Sequence, residues 1–125
     1  VEKVVEALNR ERKSVKGSRI LILGVAYKKD SDDVRESPAL DVMKLLHDHG
    51  GEISYHDPHV SKLNFNNGIL CSEPLNPRSL SSYDVVVIAT DHTRFDAREI
   101  VEHSRLVIDA RNLTRDIQSE RVIKL

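Results

Sequence analysis

Seven of the nine residues from 28 to 36 carry charge: Lys28, Lys29, Asp30, Asp32, Asp33, Arg35 and Glu36. A lysine supplies a point cation and an arginine a planar fork of N–H donors, and the two together suit the oxygens of a phosphate or diphosphate. Such charges also pair with one another in ordinary solvated loops. Position favours the phosphate reading. The run follows the apolar stretch Ile20-Leu21-Ile22-Leu23, closed by Gly24, and leads into Ser37-Pro38. Serine caps free N–H groups at a helix start and proline suits its first turn, so the cations stand beside a helix N-terminus, which itself carries partial positive charge.

The turn after the apolar stretch is not the glycine fingerprint of a dinucleotide fold. Gly24-Val25-Ala26-Tyr27-Lys28-Lys29 has Ala26 and Lys29 where G-x-G-x-x-G places its second and third glycines. A phosphate here must be met by side chains and not by close backbone approach. Asp57 lies too far beyond Gly24 to be the ribose-binding acid, which follows at about 20 residues. Asp57-Pro58 reads as a turn.

Six histidines raise the question of a metal, above all His47 with His49, and His56 with Asp57 and His59. Residues two apart on a helix point to different faces, and polar residues are ordinary at a strand end, so no metal site is assigned. Cys71 is the single cysteine. It is read as a small structural residue without catalytic duty, and the chain as a protein of the reducing cytoplasm.

The elements that position these groups follow from apolar spacing. Val1, Val4, Val5 and Leu8 make an amphipathic stripe, predicting an N-terminal helix across residues 1–16 that Gly17 ends, with residues 17–125 as the binding domain. Packing on its own sheet is the default role of that stripe. Residues 20–23 predict a buried strand. A helix then runs from Ser37-Pro38 through Ala39, Val42, Met43 and Leu46 to Gly50-Gly51. Ile53 and Tyr55 predict a shorter, more exposed strand, and residues 59–82, rich in Asn, Gly and Pro, a loop with at most a short helix. Val85-Val86-Val87-Ile88-Ala89 is the strongest buried-strand signal, Asp96 caps a helix through His103, and Leu106-Val107-Ile108 predicts a final strand ending at Asp109. This alternation predicts an α/β fold: a Rossmann-like, doubly wound, mainly parallel sheet flanked by helices. Ligands of such sheets bind beyond the carboxyl ends of the strands, which selects residues 24–37, 90–94 and 109–112.

Composition narrows the classes further. Lys and Arg total 19 against 20 for Asp and Glu, a formal net charge of -1, so no global field gathers polyanions and nucleic-acid binding is not expected. With no Trp and five Phe or Tyr, a base-stacking platform is not expected either. No apolar run approaches 18 residues, so no membrane span is expected.

Gly24-Val25-Ala26-Tyr27-Lys28-Lys29-Asp30, Asp33-Val34-Arg35-Glu36-Ser37-Pro38-Ala39, Tyr55-His56-Asp57-Pro58, Ala89-Thr90-Asp91-His92 and Asp109-Ala110-Arg111-Asn112 together resemble the C-terminal domain of the UDP-glucose/GDP-mannose dehydrogenase family. The resemblance covers about residues 4 to 115. It implies part of an NAD-dependent UDP-sugar 6-dehydrogenase, oxidising C6 of a UDP-hexose or UDP-N-acetylhexosamine to the uronic acid for surface polysaccharide synthesis. Two NAD molecules and a cysteine nucleophile do that chemistry. By motif position, Tyr27, Lys28 and Arg111 are implied substrate contacts, and Arg35 a contact to NAD bound mainly by an N-terminal domain outside this chain. The implied partners are the UDP-sugar and the N-terminal and central domains of one polypeptide, a homodimer or higher when whole. No catalytic residue is assigned within these 125 residues, so the piece alone is expected to be inactive. The Asp-His and Asp-x-Arg-Asn blocks resemble the N-acetylhexosamine branch. A nucleotide-sensing regulatory module of the same fold is the alternative from another class.

Overall fold

The computed structural model describes residues 2–10 and 13–124. Helix α1 (Glu2–Arg10) is followed by β1 (Arg19–Leu23), α2 (Pro38–Asp48), β2 (Glu52–His56), a hairpin of β3 (Lys62–Phe65) and β4 (Gly68–Cys71), α3 (Pro77–Ser81), β5 (Val85–Ile88), α4 (Ala97–His103), β6 (Val107–Asp109) and β7 (Val122–Lys124). The main sheet runs β2-β1-β5-β6-β7, and every neighbouring pair in it is parallel. The chain therefore winds outward in both directions from β1, and the order reverses between β1 and β5. That reversal is where doubly wound sheets open a crevice at the carboxyl ends of their strands.

Apolar side chains alternate to the two faces of the sheet. Ile20 and Ile22 point with Val85, Val87 and Ile108 toward Val4, Ala7 and Leu8 of α1 and Met43 and Leu46 of α2. Leu21 and Leu23 point the other way with Val86, Ile88 and Val107, under Leu80 of α3 and Ile100 of α4. The result is a three-layer domain whose central strands are buried on both faces, as near-continuous apolar runs require. The predicted packing of the α1 stripe on its own sheet is what Val4, Ala7 and Leu8 do; Val1, its first member, lies outside the described residues.

Three sequence expectations are corrected. Helix α1 is described over Glu2–Arg10 and residues 13–16 are not helical, so Gly17 does not end it and instead takes φ +81 in the turn into β1. Residues 59–82 are more than loop and short helix: β3 and β4 pair antiparallel through Asn66 and Asn67, both at positive φ (51 and 64), the geometry a two-residue hairpin turn needs. The sheet also does not end at Asp109, because residues 122–124 return as a parallel edge strand on β6. Elsewhere the start signals hold: Ser37 accepts a hydrogen bond from the Ala39 N–H (3.3 Å), and Asp96 accepts from Arg98 and Glu99.

Candidate functional site

At the exit of β1 the chain turns sharply through Gly24 at φ +81, and a Cβ built there would stand 2.5 Å from Thr90 Cβ. Only glycine fits that contact. The next N–H groups, of Val25 and Ala26, donate to Oδ2 of Asp57 at 2.8 and 3.3 Å. In a dinucleotide fold this turn offers its backbone to a pyrophosphate. Here a buried carboxylate from the end of β2 already holds both groups, so the turn fits no pyrophosphate of its own. Asp57 forms the expected turn, its carbonyl accepting from the Val60 N–H and its Oδ1 from the His59 N–H, and is a clamp as well.

Beyond the clamp, Tyr27, Lys28 and Lys29 are exposed. Tyr27, Lys28, Asp33, Arg35 and Glu36 surround one open depression of about 470 Å³. Tyr27 N–H donates to Asp33 O at 2.7 Å, folding the loop back on itself, and Asp30 and Glu36 both take positive φ (58 and 57) at its bends. Among the described residues neither Lys28 nor Lys29 has an ion-pair partner within 4.0 Å. Arg35 does: its Nε and Nη2 donate to the two oxygens of Asp33, each at 3.0 Å. That guanidinium draws the Asp33 carboxyl down to about 2.

Arg111 is placed elsewhere. It rims a separate hollow of about 500 Å³ between α1, α2 and the ends of β5 and β6, floored by Val87, Ala89 and Ile108 and walled by Pro38 and Ala39. Its Nε donates to Ala89 O at 3.0 Å. The turn that displays it is built on Asp109, whose buried carboxylate accepts from the N–H groups of Arg111, Leu113 and Thr114 and from the Thr114 hydroxyl at 2.6 Å. Burial pushes the Asp109 carboxyl up, but these donors outweigh it and leave the group below its ordinary range. Thus Tyr27, Lys28 and Arg35 share one depression, and Arg111 lines a second, which the same loop enters at Pro38.

Sequence reasoning gave no positioning role to the residues that hold the depression in place. His92, fully buried, bonds Asp57 Oδ2 through Nε2 (2.8 Å) and accepts the Asp30 N–H at Nδ1 (2.8 Å). Thr90 Oγ1 donates to Ala26 O at 2.7 Å. Thr93 donates to Asp30 twice, from its N–H at 2.8 Å and its hydroxyl at 2.6 Å, and holds that carboxyl below its usual range. The Asp-His pair after β5 was on view in the sequence, but nothing local says that its histidine faces inward.

Asp30, His59 and His92 each offer a ligand atom within 4.8 Å of the others. Both nitrogens of His92 and both oxygens of Asp30 already serve the hydrogen bonds just described, and within this trio His59 Nε2 alone is buried without a hydrogen-bond partner among the described residues. The cluster is a hydrogen-bonded one. His49 and His56 are separately engaged, with Leu45 O and Glu73 O, and Cys71 is exposed on β4.

The domain is doubly wound, with its charged loop at the β1/β5 reversal and without the glycine fingerprint of a dinucleotide fold. Residues 21–116 match the profile of the UDP-glucose/GDP-mannose dehydrogenase family, UDP binding domain, and the chain belongs to that family. It is 29% identical to a UDP-glucose 6-dehydrogenase of Rickettsia bellii over 98% of this chain and 29% of that one. It is 33% identical to a UDP-N-acetyl-D-mannosamine dehydrogenase of Campylobacter jejuni over 74% of this chain and 23% of the relative. Among solved structures, a UDP-D-ManNAc dehydrogenase from Pyrococcus horikoshii superposes with a TM-score of 0.77 at 25% identity, covering 97% of this chain and 28% of the other. The chain thus spans less than a third of the length of these relatives.

Proposed function

We propose that this domain holds the UDP part of a UDP-sugar for an NAD-dependent UDP-sugar 6-dehydrogenase, which oxidises a UDP-hexose or UDP-N-acetylhexosamine to its uronic acid. Lys28 and Tyr27 contact the nucleotide sugar in the depression, and Arg111 contacts it from the adjoining hollow. The observation that carries this reading is an exposed lysine without an ion-pair partner among the described residues, on a loop tied down at both ends, at the β1/β5 reversal of the sheet. NAD would supply the hydride acceptor for oxidation at the sugar C6. Its pyrophosphate does not fit the occupied turn at Val25 and Ala26, so its main site belongs to another domain. Arg35 then reaches it from the rim, leaving Asp33 to do so. An exposed ion pair of this kind is weak enough to be exchanged for a phosphate.

The whole enzyme adds N-terminal and central domains and acts in the cytoplasm as a homodimer or higher assembly. No helix among the described residues is long and apolar enough to cross a membrane.

The test is a pair of substitutions read by calorimetric titration with UDP. Lys28→Ala is expected to weaken binding about tenfold, the scale of one lost charge-assisted bond. Arg35→Ala is expected to stay within about twofold of the parent, because its ligand is the other nucleotide. The reverse ranking contradicts the assignment of both residues.

A further inference from the structure

We infer that Asp57 and His92 form a positioning pair that sets the Lys28 loop before the ligand arrives. The inference rests on the reading that Lys28 meets the diphosphate. The segment from Val25 to Asp30 is gripped at each end, with the Tyr27 N–H held by Asp33 O between the grips. At its start Asp57 holds the N–H groups of Val25 and Ala26, and Thr90 holds the Ala26 carbonyl. At its end His92 holds the Asp30 N–H, and Thr93 holds the Asp30 carboxylate. Tyr27, Lys28 and Lys29 project from the short span between the grips.

The two grips are one structure, because His92 joins them. Its Nδ1 accepts an N–H and therefore carries no proton, so the ring proton sits on Nε2 and is donated to Asp57. Asp57 follows β2, the loop follows β1 and His92 follows β5. These are three adjacent strands of the sheet, so the clamp bridges three carboxyl ends across the point where the strand order reverses. The Asp57 carboxylate is fully occupied, by Val25, Ala26, His92 and the His59 N–H at 2.8 Å. A buried, satisfied network of this kind specifies one loop geometry, and a loop already in its bound geometry loses less freedom when the ligand binds.

Glutamine separates this role from simple filling of space. It carries an acceptor and a donor that reproduce the pattern of the Nε2–H imidazole, whereas leucine fills volume and offers neither. The experiment combines native-state hydrogen exchange with UDP titration on the chain, for the parent, His92→Gln, His92→Leu and the milder, surface-exposed Thr93→Val. In His92→Leu the Asp30 amide is expected to exchange at least tenfold faster and UDP to bind roughly tenfold more weakly. His92→Gln is expected to restore both to within about threefold, and Thr93→Val to weaken UDP about threefold without lowering the melting temperature appreciably. Unchanged Asp30 exchange and unchanged UDP affinity in His92→Leu and Thr93→Val, with Lys28→Ala still weakening UDP, overturn the positioning role and leave the site reading standing. Absence of UDP binding by the parent overturns the site reading, and the positioning role falls with it.

Discussion

Arg35 is 87% exposed, with its guanidinium laid across the Asp33 carboxylate. Lys28, seven positions earlier on the same loop, has no such partner among the described residues. The loop therefore presents one cation already engaged and one ready for an anion, which is why the two are given different ligands. A third residue sets the height of the turn from which both project. Gly24 lies against the Thr90 side chain and carbonyl, where a Cβ would meet atoms at 2.5 and 2.7 Å, while a Cβ at Gly17 would meet nothing within 4 Å. Both glycines have φ +81. Gly17→Ala isolates the cost of the backbone conformation, about 1 kcal/mol, and Gly24→Ala adds the collision. Urea unfolding is expected to show Gly24→Ala losing at least about 2 kcal/mol more than Gly17→Ala, since overpacking of a buried contact costs on that order. Equal losses for the two variants would mean that β1 and β5 separate freely at this point.

Elements place the second hollow. The 109–114 turn is assembled on Asp109, whose carboxylate takes four donors while nearly out of contact with water. Asp109→Asn keeps the shape but loses the charge and part of the acceptor capacity, and is expected to cost about 1–3 kcal/mol in urea unfolding. The pH dependence has a definite sign. A carboxyl whose value is lower folded than unfolded adds stability above its unfolded value, near 4, and that stability is lost as pH falls through the folded value. Asp84 behaves like Asp109: burial raises it, but Lys13 at 2.7 Å and the Arg19 N–H at 2.8 Å outweigh the burial. The urea midpoint is therefore expected to stay level from pH 7 to 5 and to fall below about pH 4, less steeply in Asp109→Asn. A midpoint that rises on acidification contradicts these two environments.

The same scale shows what the sequence made legible. Ser37-Pro38 and Asp96 announced their helices because capping is a local matter of a side-chain oxygen and the next few N–H groups. The hairpin was harder to see because its strands have only four residues each and lie largely exposed, although Asn67-Gly68 after Asn66 carries a turn signature. β7 has three residues and forms only by pairing with β6, so its sequence alone holds almost no periodicity.

At the scale of the molecule, the buried runs of β1 and β5 dictated a doubly wound sheet, and the charged run after Gly24 marked the side on which Tyr27, Lys28 and Arg35 gather. What stayed hidden was non-local. The meeting of Asp57, Asp30 and His92 depends on three connections ending side by side, and no spacing along the chain records that. It also gives the proposed function its physical basis: the backbone donors that would hold a pyrophosphate are spent on Asp57, and on the proposed reading side chains further along the loop take their place. The most direct measurement of this account is calorimetric titration of the chain with UDP and, separately, with NAD. Saturable binding of UDP with scarcely any heat from NAD is expected, and tighter binding of NAD than of UDP would contradict the account.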